Sequence, residues 1–473
     1  MVSETDRILS EVKARISPKP KDRQRIMKIA EQLRERVAQI AREAKLDVEV
    51  RLEGSIAKDT WLLESPDIDI FMRVPLRVSK ESFGSVYLDI ARKATVGQEQ
   101  VERFAEHPYL EAIVDGIRVN IVPCYDVKQG EWKSATDRTP FHTDYVRPRL
   151  TNEVSEEVRL LKKFMKAIGV YGAEIKMGGF SGYVCELLTL FYGSFIRVLE
   201  SASVWGTHTL IDLEGHYNGQ ETESGKIFGD PLIIVDPVDR GRNAASAVRE
   251  DTLRLFVAAS RAFLRKPNLE FFYPHESNPF NSKELQHEME NRGSSFIFIR
   301  CWTVKMVPDV LWGKLFKTRR LLRKLVMRND FQIIRDAVWS DEETAHVFLV
   351  EVEHRYLSSL KKRVGPPLHH RVECDRFLRK HVNSGNTVSG PWIEQGRWMV
   401  EIRREHADIV ELLKAKFMDE QESAGVLGPA SRTGRSRGFE ILVNEEILEE
   451  RLLDSSFAQF LTTYLEGKPR WLT

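Results

Sequence analysis

The chain has 473 residues, with 71 Lys and Arg against 70 Asp and Glu, so the formal net charge is +1; 42% of residues are hydrophobic and 30% charged. At roughly 100–200 residues per domain this length predicts about two to four domains, and the composition excludes a disordered or fibrous chain. A globally basic nucleic-acid binder is also excluded, so any nucleic-acid surface must come from local segregation of charge. No apolar run approaches the roughly 18 residues of a membrane-spanning helix, which predicts no membrane association. The opening stretch to Ile26 lacks the apolar core of a secretory leader. Cys124, Cys185, Cys301 and Cys374 are far apart and form no CxxC pair. That pattern suits a reducing cytoplasm better than a zinc site or a disulfide framework.

In chain order, Ile26, Ile29, Ala30, Leu33, Val37 and Ile40 recur at helical spacing, which predicts helix over 5–46. Val48, Val50 and Leu52 alternate with charged residues, as do the acids and apolar residues of Asp67-Ile68-Asp69-Ile70; both read as strands with one buried face. Residues 80–96 read as helical. Asp115-Gly116 between Tyr109–Val114 and Ile117–Val122 predicts a tight hairpin. From Glu153 to about Phe263 the pattern is mostly helical, with stripes at Val158, Leu161, Phe164 and Met165 and over Tyr183–Leu199, and a Gly178-Gly179 break between them. Beyond Glu270 the chain is mixed. Strands are expected at Phe296–Ile299, His346–Val352, Trp398–Ile402 and 438–444, and helices at Trp312–Met327, at Asp408–Phe417 and toward the C-terminus. The stretch 420–437 reads as a mobile loop.

The informative stretch is Gly54-Ser55 followed by Asp67-Ile68-Asp69. Glycine lets the backbone approach a phosphate closely, and the Ser hydroxyl and the following N–H groups donate to phosphate oxygens. A helix starting there would add its dipole. Two aspartates two apart on a strand share one face. Their repulsion is relieved by a divalent cation, and hard oxygen ligands favour Mg2+ completed by substrate phosphates. Two such ions can assist an in-line displacement. Either motif alone is more often a solvated surface feature than a site.

The run Gly54-Ser55-Ile56-Ala57-Lys58-Asp59-Thr60-Trp61-Leu62 with Asp67-Ile68-Asp69-Ile70-Phe71 resembles the archaeal class I CCA-adding enzymes, tRNA nucleotidyltransferases of the polymerase-β-like superfamily. The likeness continues through Val119–Tyr125, Arg138–Thr143, Val158–Phe164, Gly169–Glu174, Gly179–Tyr183 and Asp236–Asp239, and more thinly through Gly365-Pro366-Pro367 and Gly396-Arg397-Trp398. The resemblance implies that Gly54, Ser55 and Lys58 hold a triphosphate and that Asp67 and Asp69 ligate two Mg2+ ions. It implies that His142, Lys162 and Tyr171 contact the incoming nucleotide, and that Arg240 or Arg242 reads its base. The family's third carboxylate falls at Asn120, whose amide oxygen is a weaker ligand for a hard cation. Asp115 lies in the turn and is a poor substitute; Glu111, on the partner strand, is the other acid within sequence reach.

Between Trp312 and Arg328, Lys314, Lys317, Arg319, Arg320, Arg323, Lys324 and Arg328 occur with no acid among them, while Leu315, Leu322, Leu325 and Val326 would pack inward. Further basic clusters are Lys361-Lys362-Arg363 with His369-His370-Arg371, and Arg397, Arg403 and Arg404. Such a stripe suits an A-form RNA backbone. The expected architecture is a multidomain α+β protein. A nucleotidyltransferase palm with a mixed β-sheet spans 1–150, a helical central domain 151–265, and an α/β RNA-binding region 266–473. The implied reaction is addition of CCA to tRNA from CTP and ATP, and similar enzymes are often homodimers. The alternatives are a poly(A) or oligoadenylate polymerase, and a weakened tRNA-binding homologue resulting from Asn120.

Overall fold

The computed structural model describes residues 3–104, 107–206, 208–218, 227–275, 278–418, 439–449 and 455–472. The loop expected at 420–437 lies outside them. The chain forms two compact units, one of residues 1–276 with 469–473 and the other of 277–468.

In the first unit the expected N-terminal helix is two, Glu4–Ile16 and Pro20–Glu43. Ser3 caps the first through a capping box with Asp6, and Pro20 opens the second, where its missing N–H costs nothing. A five-stranded sheet follows, made of β1 (Glu49–Glu53), β2 (Asp67–Val74), β3 (Glu99–Phe104), β4 (Pro108–Val114) and β5 (Ile117–Tyr125) in the order β1-β2-β5-β4-β3. The β2–β5 pair is parallel and the other pairs are antiparallel. Asp115 and Gly116 both have positive φ, +50° and +76°, as the expected two-residue hairpin requires. One face of the sheet, with Ile68, Ile70, Met72, Val119 and Ile121, is buried under the Pro20–Glu43 and Leu88–Ala94 helices. Strand alternation therefore turns Asp67, Asp69 and Asn120 to the opposite face.

A second core in this unit joins Ile8 and Val12 to Leu161, Phe164, Leu188, Phe195, Phe256 and Phe263. It is built from the helices Glu4–Ile16, Asn152–Ala167, Gly182–Tyr192, Phe195–Ala202 and Glu250–Arg265. The apolar stripe over Tyr183–Leu199 is two helices bent by 93° at Gly193, not one. The mostly helical reading of 153–263 needs a second correction. A small sheet, β6 (Thr209–Asp212), β7 (Leu232–Asp236) and β8 (Asp239–Asn243), is inserted there. All five residues of β7 are buried, and a short run buried on both faces carries no period that separates strand from helix.

The second unit contains β9 (Ser295–Trp302), β10 (Ile333–Ser340), β11 (Ala345–Val352), β12 (Leu360–Pro367), β13 (Thr387–Glu394), β14 (Arg397–Arg403) and β15 (Phe439–Val443). Four strands form an antiparallel sheet in the order β10-β11-β9-β15, and a smaller sheet runs β12-β14-β13. Ile297, Ile299, Phe348 and Val350 pack with Leu311, Leu315, Leu322, Val326, Leu412 and Leu413 on one face of the larger sheet. Phe296, Phe298, Val347 and Leu349 pack with Leu285, Phe457 and Leu461 on the other. Burial on both faces explains the unbroken apolar run in β9. No single described helix is long and apolar enough to cross a membrane.

Candidate functional site

The polar face of the five-stranded sheet is laid out by register. Glu53 of β1 lies opposite Asp69 of β2, Asp69 beside Asn120 of β5, and Asn120 opposite Glu111 of β4. One step along, Asp67 sits beside Arg118. Asn120 Nδ2 donates to Asp69 Oδ1 at 3.0 Å. Burial pushes the Asp69 carboxyl up, the Asn120 bond opposes this, and the like charge of Asp67 adds to it, bringing its pKa to about 6. Asp67 is gripped side-on by Arg118, with Nε to Oδ1 at 2.8 Å and Nη2 to Oδ2 at 3.1 Å. Glu111 is turned to Arg103, with Nη2 to Oε1 at 2.8 Å, and does not line the cavity described below. Glu53 is wholly buried beside the Arg51 guanidinium, Nε to Oε1 2.8 Å.

Asp67, Asp69 and Asn120 open onto a cavity of about 300 Å3, and Gly54, Ser55 and Lys58 line it too. Gly54 has φ +67°, and a Cβ there would fall 2.0 Å from Asp69 Oδ2. Only glycine fits both that conformation and that approach. The helix that Gly54 begins ends at Ala57, a single turn. The anion-binding capacity is thus that of local N–H groups and the Ser55 hydroxyl, with little of the expected helix dipole.

Behind this turn lies a buried charge cluster. Glu186 accepts from Lys58 Nζ, from the Thr60 hydroxyl at 2.6 Å and from Lys162 Nζ at 3.4 Å. Lys162 also donates to the Thr60 carbonyl at 3.0 Å and to the Thr60 hydroxyl oxygen at 2.9 Å. Burial would raise the Glu186 carboxyl, but the two ammonium groups outweigh it and hold it below its ordinary value. Burial lowers Lys162 despite Glu186. Tyr171 lines the same cavity. Its backbone is pinned by the bonds Phe180 N to Val170 O at 2.8 Å and Gly172 N to Phe180 O at 2.9 Å, and burial keeps its phenol protonated.

His142 stacks on Tyr183, with centroids 4.0 Å apart, and shares Asp236 with it: His142 Nε2 meets Oδ2 at 2.9 Å and the Tyr183 hydroxyl donates to Oδ1 at 3.0 Å. Arg242 Nη1 donates to the same Asp236 Oδ2 at 2.6 Å. Burial alone would raise Asp236. The hydrogen bond and charge of His142 and the charge of Arg242 instead bring its pKa to about 2, so it remains ionised. Burial lowers His142 below its ordinary value. Arg240 is exposed and lies over the Tyr217 ring at 5.9 Å, apart from this network.

Asp67 and Asp69 suit a divalent cation: two hard carboxylates share one face and one cavity, and the charge of Asp67 adds to the cost of ionising Asp69. Among the described residues no group of three or more His, Cys, Asp and Glu is placed to hold a metal. An ion here must therefore complete its shell from a substrate, water or the Asn120 carbonyl, exposed if that amide turns over. The sequence assigns no site role to Glu186, Asp236 or Tyr183, although Tyr183 and Asp236 stand in stretches that carry the resemblance. Glu186 could have been noticed as the lone acid in the apolar run Gly182–Tyr192, and Asp236 as the acid ending Leu232–Val235.

In the second unit the Pro308–Arg328 helix buries Leu315, Leu322 and Val326 as expected, while Leu325 is only half-buried. Of its bases, Lys314, Lys317, Arg320 and Lys324 lie at spacings of three and four residues, one helical face, and Arg328 extends it. Arg319 and Arg323 leave that face and bind the buried Asp336 of β10. In the other clusters Lys361 and Arg404 both pair with Asp330, and Lys362 pairs with Glu394.

Three family models match the chain: a nucleotidyltransferase domain over residues 26–142, the second domain of tRNA nucleotidyltransferase over 156–273, and the C-terminal domain of CCA-adding enzyme over 292–441. A CCA-adding enzyme of Methanosarcina acetivorans is 35% identical over 95% of this chain and 96% of its own length. One of Methanosarcina mazei is 34% identical over 98% and 100%, and one of Methanothermobacter thermautotrophicus 36% identical over 95% and 96%. The resemblance drawn from Gly54-Ser55 and Asp67-Ile68-Asp69 thus extends along almost the whole chain, which belongs to the family of CCA-adding enzymes.

Proposed function

We propose that this chain adds CCA to the 3′ end of immature or damaged tRNA, using CTP and ATP and releasing pyrophosphate. The observation that carries this reading is one cavity lined by Gly54, Ser55, Lys58, Asp67, Asp69, His142, Lys162 and Tyr171, residues separated by up to 117 positions in sequence. In the proposed reaction the tRNA 3′-oxygen attacks the α-phosphorus in line. The new O–P bond forms as the bond to the β-phosphate oxygen breaks, pyrophosphate leaves, and the hydroxyl proton is lost. Ser55 and the N–H groups after Gly54 hold the polyphosphate, with Lys58 and Lys162 as point charges held in place by Glu186. Asp69, with Asp67 beside it on the same face, would hold divalent magnesium, which when bound would supply Lewis-acid polarisation at the phosphate. His142 and Tyr171 fix the nucleotide, and Arg242, tied to the cavity wall through Asp236, reads the base edge in preference to Arg240. The chain's part is mostly orientation and charge placement.

In domain terms, residues 1–150 carry the reacting groups, 151–265 complete the nucleotide cleft, and 266–473 receive the tRNA on the face of Lys314, Lys317, Arg320 and Lys324, with Arg319 and Arg323 supporting that helix from the side. The test is extension of tRNA lacking its 3′ end in CTP, ATP and Mg2+. The proposal requires addition of C, C and A and then a stop. A long adenylate tail would identify a poly(A)-type polymerase. Tight tRNA binding with no extension, restored by Asn120→Asp, would identify a weakened homologue.

A further inference from the structure

The acids on the polar face of the five-stranded sheet are not equivalent. Glu53 has Arg51, Asp67 has Arg118 and Glu111 has Arg103. Among the described residues Asp69 has no cation at ion-pair distance; its neighbour is the Asn120 amide. The Arg118 pairing is built by register, since the parallel β2–β5 ladder sets it directly beside Asp67. It uses the two-pronged geometry that makes guanidinium–carboxylate pairs strong. Glu53 is wholly buried beside Arg51, and Glu111 is bonded to Arg103 and does not line the cavity, so neither supplies a further ligand.

Two divalent ions close together need acids enough to hold both. Here one of the two cavity aspartates already has a positive partner, set beside it by strand register, and the lateral position that could add a third acid holds a neutral amide. We infer that this site takes a single divalent ion, held by Asp69 and the nucleotide phosphates, and that Arg118 stands on Asp67 in the place of a second cation. This departs from the two ions implied by the resemblance. It rests on the proposed nucleotide site but not on tRNA being the acceptor.

The test is a count of bound Mn2+ by electron paramagnetic resonance on the full chain with a non-hydrolysable CTP analogue and no tRNA. The wild-type chain should bind one ion per chain. Arg118→Gln, which frees Asp67, and Asn120→Asp, which adds an acid beside Asp69, should each raise the count to two. Two ions in the wild type, or a count that stays at one in both variants, would overturn the inference. Extension of tRNA measured in parallel separates the claims. One ion without CCA addition overturns the proposed function alone, and two ions with CCA addition overturn this inference alone. No ion in any form would overturn both the single-ion site and the assignment of the aspartates.

Discussion

The Asp69 carboxylate lies so near the Gly54 α-carbon that a methyl group on Gly54 would fall 2.0 Å from Asp69 Oδ2 and 3.2 Å from its Cβ. The Gly54-Ser55 turn and the Asp67–Val74 strand are thus fitted to each other. Gly54→Ala must move Asp69 and also place a side chain at φ +67°. We predict a stability loss of about 1–2 kcal/mol and a fall in nucleotide-addition kcat/KM of about 100-fold, the scale of a misplacement near 1 Å. Thermal unfolding and steady-state kinetics on the same sample check both.

Glu186 answers two buried ammonium groups. Glu186→Gln keeps the shape but leaves Lys58 and Lys162 without a counter-charge, and breaking a buried pair in this way costs about 3–5 kcal/mol. The expected outcome is a clearly lower denaturation midpoint together with weaker nucleotide binding. A denaturation midpoint and nucleotide Kd equal to those of the wild type would show that the lysines do not depend on Glu186.

Asp236 gives a pH dependence of known sign. Its pKa is about 2 in the folded chain against about 3.9 when unfolded. Its ionised form therefore contributes stability fully above about pH 4, and this is lost as pH falls toward 2. The stability gap between wild type and Asp236→Asn should be widest above pH 4 and shrink below it. Denaturation curves at pH 7, 4 and 3 measure it, and a gap independent of pH contradicts the assignment.

The basic helix separates two kinds of arginine. Replacing Lys317, Arg320 and Lys324 by Ala should weaken tRNA binding with little effect on folding. It should also flatten the log–log salt dependence of binding, by up to about 0.7–0.9 in slope for each phosphate no longer neutralised. Replacing Arg319 and Arg323 leaves the buried Asp336 unpaired and should lower stability of the 277–468 unit. Filter binding across a salt series and thermal unfolding distinguish the two sets.

What was legible in sequence followed from local signals. Alternation located β2, Asp115-Gly116 located the β4–β5 turn, and Gly54, Ser55, Asp67 and Asp69 were recognised as a group because their chemistry depends on short-range spacing. The residues that hold the cavity together were less visible. Glu186 reaches Lys58 across 128 residues and Asp236 reaches His142 across 94, and no periodicity encodes such pairings. The small β6–β8 sheet was hidden because β7 is buried on both faces. The pairing of Arg319 and Arg323 with Asp336 is hidden in the sequence because Asp336 comes from β10, a strand half-buried along most of its length with no clear alternation.

The most direct test of the central claim is Asp69→Asn, compared with wild type for extension of tRNA lacking CCA and for tRNA affinity. Extension should fall by at least about 1,000-fold, the scale of removing a group that stabilises transition-state charge, while tRNA Kd changes by no more than a few-fold. Turnover near the wild-type rate would contradict the placement of Asp69 at the reacting centre.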